Sequence, residues 1–127
     1  MPAMHAFDYA VVRVVPRVER GEFVNAGVIV FSRTARFLEA RIALDAARLT
    51  ALAPAIDVDV VRSYLDAIPR ICAGGDDAGP IGLLSQSERF HWLVAPRSTI
   101  IQTSPVHSGV HGDLAAALAG LFVKLVR

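Results

Sequence analysis

The chain has 127 residues, 54% of them hydrophobic and 20% charged, with a net charge of +1. That length and composition supply one hydrophobic core, exclude long disorder, and give none of the strongly basic field that marks a general nucleic-acid binder. The single cysteine, Cys72, excludes an internal disulfide and any cysteine-based zinc site.

Taken in chain order, Phe7 to Val18 is rich in valine and aromatics and reads as a strand, with Pro16 at an edge or near its end. Phe23 to Ser32 is a second, more continuously apolar strand, and ERGE between them supplies a short turn whose glycine can take positive φ. The two form an antiparallel hairpin. Arg36 to Ala43 reads as a third strand with imperfect alternation. Asp45 is placed to cap a short helix running through Leu52 and stopped by Pro54. Asp57 caps the next helix, where Val58, Val61, Leu65 and Ile68 recur on one face; Pro69 is expected to end or kink it, because proline removes a donor and crowds the preceding turn.

CAGGDDAGPIG then reads as a mobile surface loop, in which Asp76 and Asp77 are solvated turn carboxylates. Arg89 to Ala95, with Phe90 and Trp92, and Thr99 to Thr103 read as two further strands around a Pro96 turn. Asp113 caps a last helix with Leu114, Leu118, Leu121, Phe122 and Leu125 on one face. Runs of strands with helices inserted as a block predict an α+β fold: a two-layer sandwich, mainly antiparallel sheet with helices packed on one face, in a single domain over residues 1–127.

Two polar segments are not explained as core. In PRVERGEFVNAG, Arg17 and Arg20 present forked donors suited to a phosphate or carboxylate, and Asn25 interrupts an apolar strand where a polar side chain needs a partner. The competing reading is a solvated turn whose opposite charges pair across the hairpin. In APRSTIIQTSPVHSG, Arg97 and Ser98 sit at a turn that can hold an anion, with Gln102, Ser104 and His107 close in sequence. Serine catalysis would need Ser98 or Ser104 with His107 as base and an orienting acid, and the GxSxG elbow is absent. His107, His111 and Asp113, with His5 or His91, are ligand types, yet HSGVHGD carries two glycines and lacks helical facing, so no metal site is expected. Charge is uneven along the chain: residues 1–41 carry six arginines against four acids, residues 42–88 three against seven, and residues 89–127 four basic residues against one acid.

At these same segments the sequence resembles an uncharacterised bacterial family, domain of unknown function 3037. The residues that carry it are YAVVRVVPRVERGEFVNAGVIVF, then ERFHWLVAPRSTIIQTSPVHSG, then the terminal LFVKLV, so the resemblance runs nearly end to end. It implies no activity, cofactor or catalytic residue; it does imply a protein partner, a HipA-like kinase-fold protein.

The leading reading is a non-enzymatic accessory or binding module in which Arg17, Arg20, Asn25, Arg97, Ser98 and His107 converge on one polar patch for a partner protein or an anionic small molecule. One alternative is a small hydrolase or phosphotransfer-type enzyme, with His107 as acid or base, the arginines stabilising negative charge, and Glu19 or Glu22 within reach. A second is nucleic-acid binding through the basic ends. No cofactor and no membrane association are expected: the longest apolar tract, Leu114 to Val123, is too short to span a bilayer. The chain runs directly into MPAMHAFDYAVVRVV without a secretory pattern, so the expected location is cytoplasmic, and an exposed edge strand makes a homodimer reasonable.

Overall fold

The computed structural model describes residues 3–127. Three antiparallel strands open the chain: β1 (His5–Val14), β2 (Val24–Ser32) and β3 (Phe37–Ile42). The β1–β2 connection is a single 3-10 turn, Val18–Arg20, closed by Gly21 at φ +69°, the left-handed position that the ERGE turn anticipates. β1 ends at Val14, two residues before Pro16, and its pairing with β2 is offset by an irregularity between Val12 and Arg13.

Helices α1 (Ala46–Leu52) and α2 (Val58–Ala73) start where their caps are expected. The Asp45 carboxylate accepts from the Arg48 amide at 3.0 Å and Asp57 accepts from Val60 at 3.2 Å, each satisfying one unpaired amide of a first turn. Pro69 does not end α2, which continues to Ala73. The missing amide bond is outweighed by burial on both sides of it, at Leu65, Ile68, Ile71 and Cys72. Arg89 also closes the helix, its Nη1 donating to the Ile71 and Cys72 carbonyls at 2.8 and 2.6 Å.

The glycine-rich loop folds into two 3-10 turns, Asp76–Ala78 and Pro80–Leu83. α3 (Gln86–Val94) follows, and it replaces the strand expected over Arg89 to Ala95. Phe90, Trp92 and Val94 favour a strand locally, but Ser85 and Glu88 form a reciprocal capping box, and Phe90 and Leu93 are buried together one turn apart. Phe90 stacks on Phe31 of β2 at 4.8 Å between ring centroids, so tertiary packing overrides local β preference.

β4 (Ile101–Thr103), β5 (His107–His111) and α4 (Leu114–Leu125) complete the chain. Asp113 caps α4, accepting from Ala116 at 3.1 Å. The sheet order is β3-β2-β1-β4, with β5 also pairing to β1, and every pairing is antiparallel. The fold is therefore α+β as expected, but the helices are not confined to one face. Ile29 and Phe31 of β2 pack with α1, α2 and α3, whereas Val28 and Val30 pack with Leu114, Leu118 and Phe122 of α4. Because strand side chains alternate, these two clusters lie on opposite faces of the sheet. No helix among the described residues is long and apolar enough to cross a membrane.

Candidate partner-binding groove

β4 and β5 are two halves of one bent edge. β4 pairs with Val12 to Val14, and β5 pairs with His5 to Tyr9 on the same side of β1. The histidine-bearing segment is a strand, because β1 offers a free edge to pair with and Gly109 leaves room for the Phe7 ring. A Cβ at Gly109 would stand 2.7 Å from Phe7 Cζ. Between the halves, the Ser104 amide donates to the Val11 carbonyl at 2.8 Å, and the Ser104 hydroxyl accepts from the Val11 amide at 2.9 Å. Its proton goes to the Pro105 carbonyl at 2.9 Å. Ser104 is a buried clamp that carries the chain past a proline, which has no amide to offer.

Along the α2–α3 side of β4 runs an apolar cleft of about 420 Å³. α2 contributes Tyr64, Ile68 and Ile71, α3 contributes Trp92 and Leu93, and β4 forms the opposing wall. Ile68 and Leu93 are buried, but Tyr64 is 53% exposed and Trp92 40% exposed, so two large rings stand at a solvent-facing rim. Arg97 lies over the Trp92 ring at 4.3 Å from its centroid and donates from Nη2 to the Trp92 carbonyl. That bond satisfies one of the carbonyls left open at the end of α3 and places a cation at the negative end of the helix. A second cleft, of about 440 Å³, shares Arg97, Gln102 and Thr103 with the first and extends to Pro105 and Val106.

The six residues expected to form one patch are distributed as follows. Val15 donates to the Ile100 carbonyl at 2.6 Å, which continues the β1–β4 pairing and brings Arg17, Arg97 and Ser98 to one end of the sheet. Arg20 and Asn25 lie at that same end, on the turn and at the start of β2. Arg20 is exposed and ion-paired with Glu22, and their hydrogen bond holds the Glu22 carboxyl below its ordinary value. Asn25 faces the other way: its Nδ2 donates to the Leu125 carbonyl at 3.0 Å and ties down the end of α4. Its Oδ1, and Nε of its cross-strand neighbour Arg13, are buried without a hydrogen-bond partner. His107 pairs with Tyr9, six residues back along β1 from Val15. At strand rise that sets it roughly 20 Å along the sheet from the Val15–Ile100 pair, beyond which Arg17 and Ser98 lie. Among the described residues, no side chain of the six bonds to a side chain of another.

The other reactive types are equally accounted for. Burial pushes the Cys72 thiol up to about 12, which keeps it from acting as a nucleophile near neutral pH. His5 and His111 are directly opposed across β1 and β5, but the Asp113 amide donates to His111 Nδ1 at 2.8 Å. No group of three ligating side chains occurs among the described residues.

Sequence reasoning found Arg97 and passed over Tyr64 and Trp92. Tyr64 lies three residues after Val61 and four before Ile68, so its spacing continues the apolar face of α2 and reads as core. Only the packing of α2 against the sheet leaves this ring exposed at the rim instead of buried. Trp92 was hidden by the strand reading of its segment.

Residues 9–126 match the model of a family described as protein of unknown function (DUF3037). No curated protein and no solved structure matches the chain.

Proposed function

The chain belongs to the DUF3037 family, and from that premise we propose that it is a non-enzymatic accessory module that binds a partner protein through the groove between α2, α3 and β4. The observation that carries this reading is the rim of that groove: exposed Tyr64 and Trp92 with Arg97 stacked between ring and solvent. Tyrosine, tryptophan and arginine are enriched among the residues that dominate binding energy at protein interfaces: the rings bury large area with two χ angles to fix, and the guanidinium adds a planar set of donors. Arg17 and Ser98 extend the same end of the sheet as a polar margin; a HipA-like kinase-fold protein is the partner class the family suggests. An anionic small molecule held by Arg17, Ser98 and Arg97 is a narrower version of the same site. The lone buried thiol suits a cytoplasmic setting.

A photo-crosslinking amino acid placed at position 64, and separately at position 123 on the exposed side of α4, tests the reading in cells expressing the tagged chain. One protein should be captured from position 64, lost when Trp92→Ala and Arg97→Ala are added, and not captured from position 123. Capture from 123 alone, or capture from 64 that survives both substitutions, would overturn it.

A further inference from the structure

We propose that the occupant of the groove is an extended peptide segment that adds a strand to the outer edge of β4 and presents a carboxylate to Arg97. This deepens the reading of the groove as the partner-binding surface and rests on it.

The register decides which backbone groups are on offer. Val15 bonds to Ile100, and Ser104 bonds to Val11, so the pairs 15–100, 13–102 and 11–104 are the hydrogen-bonded ones. In an antiparallel ladder the intervening residues turn their amides and carbonyls away from the partner strand. Ile101 and Thr103 therefore direct theirs outward from β1, and β4 is the last strand in the sheet order. Thr99 Oγ1 already donates to the Ile101 carbonyl at 2.9 Å, which leaves the Ile101 amide and both groups of Thr103 to a ligand. An added strand hydrogen-bonds to such groups and places alternate side chains toward one face.

The shape fits an extended occupant better than a compact one. The two clefts meet at Arg97, Gln102 and Thr103 and follow the edge as far as Val106. Ile101 to Val106 is about 20 Å of chain at strand rise. Pro105 offers no amide, so strand addition stops there and the paired stretch is short. Side chains directed toward α2 and α3 would meet Tyr64, Ile68 and Trp92, which selects apolar residues.

Charge complementarity sets the polar end. Arg97 is the one charged residue lining either cleft. It forms no ion pair among the described residues, its bonded partner being the neutral Trp92 carbonyl. A guanidinium is planar, and one anchored over a ring and at one Nη presents its remaining donors in the fork geometry that a carboxylate accepts in bidentate fashion. The occupant's carboxylate is an Asp or Glu side chain or a chain terminus.

The test begins with random octapeptides displayed on phage and selected on the intact protein, followed by synthesis of the enriched peptides. Enriched sequences should alternate apolar residues and contain one carboxylate; replacing it with its amide should weaken binding about tenfold. Arg97→Gln should erase the difference between acid and amide forms, with a thermal midpoint that shows the variant folded. N-methylation of alternate peptide residues should abolish binding and methylation of the others should not. Peptides that need Trp92 but bind equally as acid and amide, or that tolerate methylation at every position, would overturn this inference and leave the groove reading standing. If every selected peptide binds Trp92→Ala as well as wild type, the groove reading fails with it.

Discussion

Replacing Ser104 with alanine should destabilise the fold by about 2–3 kcal/mol, an amount set by what its hydroxyl does. The Val11 amide is buried, with the residue only 7% exposed, and the Ser104 oxygen at 2.9 Å is its partner. Alanine leaves that donor unpaired away from water, a loss of about 1–3 kcal/mol, and deletes a second bond to the Pro105 carbonyl worth about 0.5–1 kcal/mol. With an unfolding entropy of about 2.1 cal/mol/K per residue over 127 residues, the thermal midpoint should fall by about 7–11 °C. Calorimetry reads the shift, and hydrogen exchange locates it: the Val11 amide should lose protection well before those of Val28 and Val30 in the central strand. Ser98→Ala, exposed and without a side-chain bond, serves as the control and should stay within about 0.5 kcal/mol of wild type. A fall of less than about 2 °C with Val11 still protected would refute the clamp.

Asn25→Ala should cost about 1 kcal/mol by releasing the Leu125 carbonyl, visible as faster amide exchange in the last turn of α4. Gly120→Ala should stabilise by about 0.5–1 kcal/mol in chemical denaturation, since a Cβ there meets nothing within 4 Å in a helix interior. Gly109→Ala should instead destabilise by about 1–3 kcal/mol, because its Cβ would collide with the Phe7 ring. Cys72 keeps its proton in the folded state to about pH 12 against an ordinary value of 9.0. Its contribution is therefore fully present below pH 9 and lost as pH rises toward 12, by about 1.4 kcal/mol per pH unit. Cys72→Ala should show a shallower alkaline decline in urea titrations, and a wild-type slope in that variant would contradict the assignment.

The features legible in the sequence are those whose cause is local. Asp45, Asp57 and Asp113 each cap a helix because the carboxylate reaches an amide three residues on, and that spacing is written in the chain. The first hairpin follows from two apolar runs flanking a glycine that takes positive φ, and Arg97 stood out as a cation in a turn. The features decided only by the tertiary structure depend on residues far apart. α3 is a helix because Phe90 buries against Phe31 and a capping box starts it. β5 is a strand because the free edge of β1, about a hundred residues earlier, supplies its partner. The placement of His107 away from Arg97 and Ser98 is a matter of register across that pairing, and no short-range pattern encodes register between segments so distant. The groove itself is of the same kind: Tyr64, Trp92 and Ile101 come from three elements, and only the packing of α2 and α3 against one face of the sheet brings them to a common rim.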